Sequence, residues 1–420
     1  MQKRKLGYWE ALCQSGNDIF HGNGLIAAVA KFYHPQLDLK RFRQALALCQ
    51  ASQPLLRARI KKGAKAEQFI IDPPGATYLP FQVVGRRSDF LWESIIELEL
   101  NRPPRNQDYQ WRSMLLYDDT EPHYEFILIA GHNIGDGLSI AYFFDSCFKI
   151  YQDLNPIQEH PFYPPVEELL THMDNQKTVP PSDFDATPIY YQATVPLGER
   201  VTRNLYHTFT AEQTHSLMTH CKNRGFSVNA FVNAATLLSL VKTLNQNLST
   251  TLHTPINLRK WCQPEMPNDF FGCYVSVVTT YHPNVTVLSD INVLASNYEH
   301  QLKNVRLPGD AIFPCKYDKE DIIKAAALWK GSIDRFSMGP TVTNIGLLPF
   351  NNRYGELEWS ECYFCTSRQN ADIPILLNVL TLNKRLMIAF TYTEPMLDES
   401  FMRTYVNQFI PLLRIKTGTK

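Results

Sequence analysis

The sequence has no net charge and no long uninterrupted apolar run. Lys and Arg together number 41, as do Asp and Glu, and the formal charge is therefore +0. Nucleic acids and anionic membrane surfaces select clustered positive charge, so a neutral chain is a poor bulk partner for either. No apolar stretch reaches the roughly 18–20 residues that cross a bilayer. We therefore expect neither nucleic-acid binding nor a transmembrane segment.

Cysteine is sparse and has no regular spacing. The nine residues are scattered, and the single close pair, Cys362-x-x-Cys365, lacks the second pair that a zinc site requires. We interpret the pair as two thiols on opposite faces of a strand and predict no metal site. Unpaired thiols in odd number are typical of a reducing compartment, and the basic segment 1–14 is not followed by the apolar region of a secretory signal. We therefore expect a cytoplasmic protein.

Several common catalytic motifs are also missing. The sequence contains no P-loop, no GxSxG nucleophile elbow and no complete GxGxxG, since the nearest match stops at "GNGLIA". Nucleotide hydrolysis, serine hydrolysis and a Rossmann fold therefore have no motif to support them.

Proline is concentrated in one part of the chain. Eight of the 27 prolines lie between Pro156 and Pro196, and proline disfavours both helix and sheet hydrogen bonding. A chain of 420 residues also exceeds one typical hydrophobic core. We predict an N-terminal lobe of residues 1–170, a proline-rich linker of residues 171–200 and a C-terminal lobe of residues 201–420.

Strand-like and helical patterns mix in both predicted lobes without strict alternation. "HYEFILIA" is a short apolar run typical of a buried strand, and helical spacing of apolar residues follows Gly137. Thr210 and Gln213 form a capping-box signature that begins a helix, and Gly225 ends it. "PILLNVLTL" and "RLMIAFTYT" flank Asn383-Lys384 and predict a hairpin, and "DESFMRTYVNQFIPLLR" predicts the helix that follows. The fold class predicted is mixed α/β (α+β).

The stretch "FILIAGHNIGDGLSI", residues 126–140, carries the clearest chemical signal. It places His132 where a buried strand gives way to a glycine-rich loop, and histidine accepts a proton readily near neutral pH. Asp136 could orient the imidazole directly or could anchor the loop on an arginine elsewhere. The alternative is a structural histidine followed by an ordinary Asp-Gly turn.

"HNIGDG" resembles the HxxxDG motif of the chloramphenicol acetyltransferase-like superfamily. That superfamily includes alcohol acyltransferases, polyketide-associated acyltransferases, plant BAHD acyltransferases and the condensation domains of peptide synthetases. The resemblance extends more weakly along the chain. The segments that resemble the family are "QPLLRARI", "PINLRKW", "NDFFGCYVS" and "TVTNIGLLP".

The resemblance implies two similar αβ lobes with an active-site tunnel between them. His132 would be the general base that deprotonates an acceptor hydroxyl for attack on a thioester. Asp136, Gly137 and Arg259 would support the site, with Arg259 as the ion-pair partner of Asp136 and Gly137 leaving room for the base. Thr343 and Asn344 would contact the oxyanion or the substrate.

The same resemblance implies the co-substrates. The acyl donor would be acyl-coenzyme A or an acyl carrier protein bearing a phosphopantetheine thioester, and the acceptor a small-molecule alcohol. No tightly bound cofactor and no metal are expected, and we expect a monomer that transfers groups other than amino-acyl groups.

The chain departs from the family pattern at several positions. Condensation domains carry HHxxxDG, whereas Gly131 precedes His132 here, which favours ester formation over amide formation. "DFFGC" only partly matches the DFGWG motif of the plant enzymes, and Thr343 replaces the serine of the "SNxG" segment. Two alternatives therefore stay open: a free-standing condensation enzyme that forms an amide, and a catalytically silent binding scaffold. An open tunnel that reaches His132 from both faces favours an enzyme, and a tunnel plugged by side chains favours the scaffold.

Overall fold

The computed structural model describes nine stretches of the chain. These are residues 2–63, 66–75, 78–86, 91–105, 107–118, 120–170, 185–304, 318–327 and 334–415.

The first half of the chain supplies twelve of the described helices and strands. They are β1 Gln2–Lys5, α1 Tyr8–Phe20, β2 Leu25–Tyr33, α2 Leu39–Ser52, β3 Ala58–Lys61, β4 Gln68–Ile71, β5 Phe81–Gly85, α3 Trp92–Leu100, β6 Trp111–Tyr117, β7 His123–Gly131, α4 Gly137–Asp153 and α5 Val166–Leu169.

The second half supplies the remaining elements. They are β8 Val201–Thr208, α6 Ala211–Arg224, α7 Val228–Leu244, β9 Leu248–Asn257, β10 Val275–Val285, α8 Ile291–Lys303, α9 Lys319–Ala327, β11 Thr341–Leu347, β12 Arg353–Tyr354, β13 Leu357–Thr366, β14 Leu376–Leu382, β15 Arg385–Glu394 and α10 Glu399–Leu413.

The strands form two six-stranded sheets and one small sheet among the described residues. The first sheet has the order β12-β13-β2-β7-β6-β5, the second has the order β10-β9-β11-β14-β15-β8, and β1-β4-β3 form the third. Most pairs are antiparallel, but β5 runs parallel to β6, and β11 runs parallel to both β9 and β14. The predicted mixed α/β architecture is therefore confirmed.

Strand β13 joins the two halves of the chain. It lies within the predicted C-terminal lobe, yet it pairs with β2 of the first sheet, where Thr366 lies opposite Ile26. The segment after it leads back to β14 in the second sheet. The chain therefore crosses between the two large sheets three times, and the last crossing lies beside the site described below.

Each large sheet has its own hydrophobic core. Helix α4 packs aromatic side chains, including Phe144 and Phe148, into the core of the first sheet. Helices α7 and α10 cover the second sheet, where Tyr405 and Phe409 are fully buried. The two cores hold β7 and β9 in place, and these strands carry the candidate site.

Several local predictions are confirmed. Thr210 and Gln213 form a capping box at the start of α6, and Gly225 ends that helix in the left-handed conformation with φ of 79°. Asn383 and Lys384 also have positive φ, as a tight hairpin between β14 and β15 requires. Residues 171–184 of the predicted linker lie outside the described residues.

Helix length and composition give little sign of a membrane span. Within the described ranges, no single helix is long and apolar enough to cross a bilayer, although α6 and α7, bent by 100°, meet the length and composition criteria as a pair.

Candidate active site

His132 follows the last residue of β7 and is held by its backbone. Its N–H donates to the carbonyl of Gly24 at 2.7 Å, and the preceding N–H of Gly131 donates to Gln110 at 2.8 Å. The ring lies between the lobes, where Nδ1 is 3.0 Å from the carbonyl oxygen of Gly135. The loop of the motif itself therefore orients the imidazole.

This contact determines which ring nitrogen carries the proton. A carbonyl oxygen only accepts hydrogen bonds, so Nδ1 of His132 is the protonated nitrogen and Nε2 keeps its lone pair. Nε2 has no hydrogen-bond partner among the described residues and is not fully buried. Removal of the ring from water lowers the pKa of His132, and Asp136 opposes this only in part. The neutral imidazole therefore presents a base to its surroundings.

Asp136 is the N-cap of α4 and faces away from the ring. One carboxylate oxygen accepts from the backbone N–H and the hydroxyl of Ser139, each at 2.8 Å. The other accepts from the backbone N–H of Tyr274 at 3.0 Å and from Arg259 at 2.8 Å. The carboxylate thus accepts hydrogen bonds from the first turn of α4, from the backbone just before β10 and from Arg259.

Arg259 makes the ion pair that the resemblance predicted. Nη1 and Nη2 donate to the two oxygens of Asp136 at 2.8 and 3.2 Å, and both side chains are almost completely buried. Burial alone would raise the pKa of Asp136, but the charge and hydrogen bonds of Arg259 hold that pKa below its usual range. The aspartate is therefore ionised and paired, as expected of an anchor for the loop.

Residues 272–274 bring the second half of the chain onto the motif. Gly272 exchanges hydrogen bonds with the Ser139 hydroxyl at 2.7 and 3.1 Å, and Tyr274 donates to Asp136. Between them, the sulfur of Cys273 lies 3.4 Å from Nδ1 of His132. Three consecutive residues thus contact the histidine, the aspartate and the first turn of α4.

The two motif glycines permit close packing. A Cβ on Gly137 would lie 3.2 Å from both Ile345 and Phe364, so the nearest atoms that it would crowd belong to these two side chains. That Gly137 also leaves room for the base stays a prediction. The glycine lets the start of α4 approach β11 and β13. A Cβ on Gly135 would meet the ring of Phe271 at 2.5 Å, closer than real contacts allow.

The Gly135→Ala substitution is therefore expected to lower the free energy of unfolding by about 1–3 kcal/mol, because the added methyl group overpacks against Phe271. Urea denaturation measures the loss. The Gly135→Ala/Phe271→Leu double variant has space for the methyl group. It should lose less unfolding free energy than the two single variants lose in sum. Equal stability of Gly135→Ala and the wild type would contradict the contact.

A cavity of about 650 Å³ lies at His132 and is lined by residues of both halves. Thr343 and Asn344 on β11 line it together with the histidine. Oδ1 of Asn344 accepts from the N–H of Gly346 at 2.9 Å, which leaves the amide nitrogen as its available donor. The structure thus brings all six predicted residues to one cavity or to its immediate support, and their roles stay predictions.

Four residues at this site were not predicted as site residues from the sequence. They are Cys273, which contacts the His132 ring, and His253, Arg368 and Asp372, which line the cavity. Cys273 lies inside the segment "NDFFGCYVS", which already resembled the family, so that segment was the available signal. The described part of the chain has no group of three or more His, Cys, Asp or Glu side chains placed to hold a metal ion.

Solved structures share this architecture over nearly the whole chain. Trichothecene 15-O-acetyltransferase from Fusarium sporotrichioides has a TM-score of 0.75 at 12% identity, with 98% of this chain and 94% of that chain covered. Polyketide synthase associated protein 5 from Mycobacterium tuberculosis has a TM-score of 0.68 at 15% identity, with 99% and 98% covered. The epimerization domain of tyrocidine synthetase B has a TM-score of 0.67 at 13% identity, with 98% and 96% covered.

These likenesses confirm the predicted fold, which the chain shares with an acetyltransferase, an epimerization domain and a condensation domain. One family also matches by sequence: residues 198–305 match the phthiocerol/phthiodiolone dimycocerosyl transferase C-terminus. No curated protein matches the sequence significantly. The family match and the fold together support an acyltransferase type of function.

Proposed function

We propose that the protein is an acyltransferase that moves an acyl group from a thioester to an acceptor hydroxyl, with His132 as the general base. The observation that carries the proposal is the free Nε2 of a neutral His132 in a cavity that both halves of the chain line. The acyl donor is a co-substrate, either acyl-coenzyme A or an acyl carrier protein that bears a phosphopantetheine thioester.

The chemistry needs one proton acceptor and one oxyanion site. Nε2 of His132 takes the proton of the acceptor hydroxyl while the hydroxyl oxygen bonds to the thioester carbonyl carbon. Thr343 and the amide nitrogen of Asn344 donate hydrogen bonds to the resulting oxyanion. The C–S bond then breaks, and the imidazolium returns the proton to the leaving thiolate. The Asp136–Arg259 pair takes no proton and keeps the loop in place.

Two observations bear on the rival functions. Gly131 stands where condensation domains carry a second histidine, which favours an ester over an amide product. The cavity reaches His132 and is not filled by side chains, which favours an enzyme over a silent scaffold. The test supplies straight-chain acyl-coenzyme A thioesters with either an alcohol or an amine and measures free thiol and product. Faster amide than ester formation would favour the condensation enzyme.

The pH dependence follows from the direction of the histidine pKa. Because burial lowers the pKa of His132, the unprotonated base is present down to a lower pH than for an ordinary histidine. The acid limb of kcat/KM for thiol release should therefore have its midpoint below about 6.5. A midpoint clearly above that value would contradict a neutral His132 in the free enzyme.

A further inference from the structure

A second ion pair lies on the cavity wall, and the reaction at His132 does not use it. Arg368 and Asp372 belong to the segment that leads from β13 to β14, and Nη2 of Arg368 donates to Oδ1 of Asp372. Both side chains line the same cavity as His132. Their exposed side-chain fractions are 19% and 5%, so the pair is largely removed from water.

The pair leaves hydrogen-bonding atoms of both side chains unused. Nη1 of Arg368 and Oδ2 of Asp372 have no hydrogen-bond partner in the part of the chain that the structure describes, and neither atom is fully buried. The two side chains hold each other through Nη2 and Oδ1, and the buried Nε of Arg368 also lacks a hydrogen-bond partner among the described residues. A cavity occupant therefore meets a hydrogen-bond donor and a hydrogen-bond acceptor close together.

The backbone around the pair is fixed from three directions. The N–H of Arg368 donates to the hydroxyl of Thr202 at 2.9 Å, and its carbonyl accepts from the hydroxyl of Thr393 at 2.6 Å. The carbonyl of Asp372 accepts from the N–H of Met338 at 3.0 Å. A site held in this way selects among occupants, because it does not relax around a poorly matched one.

The neighbouring cavity wall is polar but uncharged. His253 lines it, and its two ring nitrogens lie 3.0 Å from the hydroxyls of Thr251 and Thr279. Burial lowers the pKa of His253 to about 4, with a further contribution from Arg368, and the ring is therefore neutral at physiological pH. The charges of Arg368 and Asp372 balance each other, so this part of the cavity has no net charge.

Resting on the proposed function, we propose that Arg368 and Asp372 form a subsite for a neutral hydroxyl or carboxamide group of a substrate. Such a group donates to Oδ2 of Asp372 and accepts from Nη1 of Arg368 at the same time. A carboxylate would be attracted by Arg368 but repelled by Asp372, and an ammonium the reverse, so neither gains the net attraction that would offset its loss of hydration. A methyl group would leave both polar atoms unpaired in a largely dry site. The subsite therefore discriminates by chemistry at a point away from the reacting carbonyl.

The test uses alcohols that differ only at the far end. Butanol, hexanol and octanol are compared with their α,ω-diols, ω-hydroxy amides and ω-hydroxy acids as acceptors, with one acyl-coenzyme A donor. The same end groups are then placed on the acyl chain, which distinguishes an acceptor subsite from an acyl subsite. In one of the two series, the wild type should prefer the hydroxyl or carboxamide end by at least about tenfold in kcat/KM over methyl and carboxylate ends.

The Asp372→Asn variant should reverse part of this preference. It leaves the Arg368 charge without its partner, so the carboxylate end should gain at least about tenfold relative to the hydroxyl end. The matched control is Arg368→Gln/Asp372→Asn, which keeps a donor and an acceptor without charge and should not favour the carboxylate. Unfolding temperatures show whether each variant folds.

Ligand-induced shifts of the unfolding temperature are measured with the same alcohols, because they report binding without turnover. Equal ranking of methyl and hydroxyl ends by the wild type in both series, or no gain for the carboxylate in a folded Asp372→Asn variant, would overturn the subsite. If the single variant does not fold, the wild-type ranking and the double variant decide. Absence of transfer with every pair would instead refute the proposed function, and the temperature shifts would still test the subsite.

Discussion

The His132→Ala variant is expected to lower kcat/KM for acyl transfer by about 10²–10⁴-fold, the usual contribution of a positioned general base. The contact of Nδ1 with the Gly135 carbonyl orients the His132 ring, so that the lone pair of Nε2 is free in the cavity. Without it, the acceptor hydroxyl must lose its proton to water. Thiol release in the presence of an alcohol measures the effect.

The control for this experiment is the second histidine on the cavity wall. Both ring nitrogens of His253 are engaged by threonine hydroxyls, so it has no free base to offer. His253→Gln should therefore lose much less activity than His132→Ala if its unfolding temperature is close to that of the wild type. A large loss of activity in His253→Gln together with near-normal activity in His132→Ala would contradict His132 as the general base.

The second large effect is expected at Arg259. Replacing it with methionine leaves the Asp136 carboxylate ionised and buried without its cation, which typically costs about 3–5 kcal/mol of unfolding free energy. Urea denaturation measures this loss. The folded-state pKa of Asp136 is depressed, so its contribution is present above the unfolded pKa and is lost as pH falls through the folded pKa. The difference between variant and wild type should therefore shrink in acid.

Two controls separate this effect from a general loss of charge. Arg403 pairs with Glu399 on the exposed surface of α10, and Arg403→Met should change stability by less than about 0.5 kcal/mol. The double variant Arg259→Met/Asp136→Asn removes the unpaired buried charge. Its loss of unfolding free energy should be smaller than the sum of the losses of the two single variants. A stability of Arg259→Met within about 1 kcal/mol of the wild type would be incompatible with a buried anchoring pair.

The local features of the site could be predicted because they depend on residues close in sequence. The strand, loop and helix around His132 follow from an apolar run, two glycines and helical spacing in one short stretch. The contact between Asp136 and Arg259 spans 123 residues, and it was predicted only because the chain resembled a known family. Periodicity alone says nothing about which distant side chains meet.

Features that depend on strand pairing between distant segments could not be predicted. The pairing of β13 with β2 joins residues more than 300 positions apart, and either strand would fit several places in a sheet. That pairing puts Arg368 and Asp372 beside the site, although at a spacing of four residues they would suggest a surface pair on a helix. The packing of Ile345 and Phe364 against Gly137 could not be predicted for the same reason, since both side chains arrive from distant strands.

The most direct test of the central claim counts ester product and free thiol in the same reaction. Purified wild type and His132→Ala are each given an acyl-coenzyme A thioester and an alcohol, and both products are quantified by mass spectrometry. We expect equal amounts of ester and thiol from the wild type and a loss of both in the variant. Thiol release without ester, or undiminished ester formation by His132→Ala, would contradict acyl transfer through this histidine.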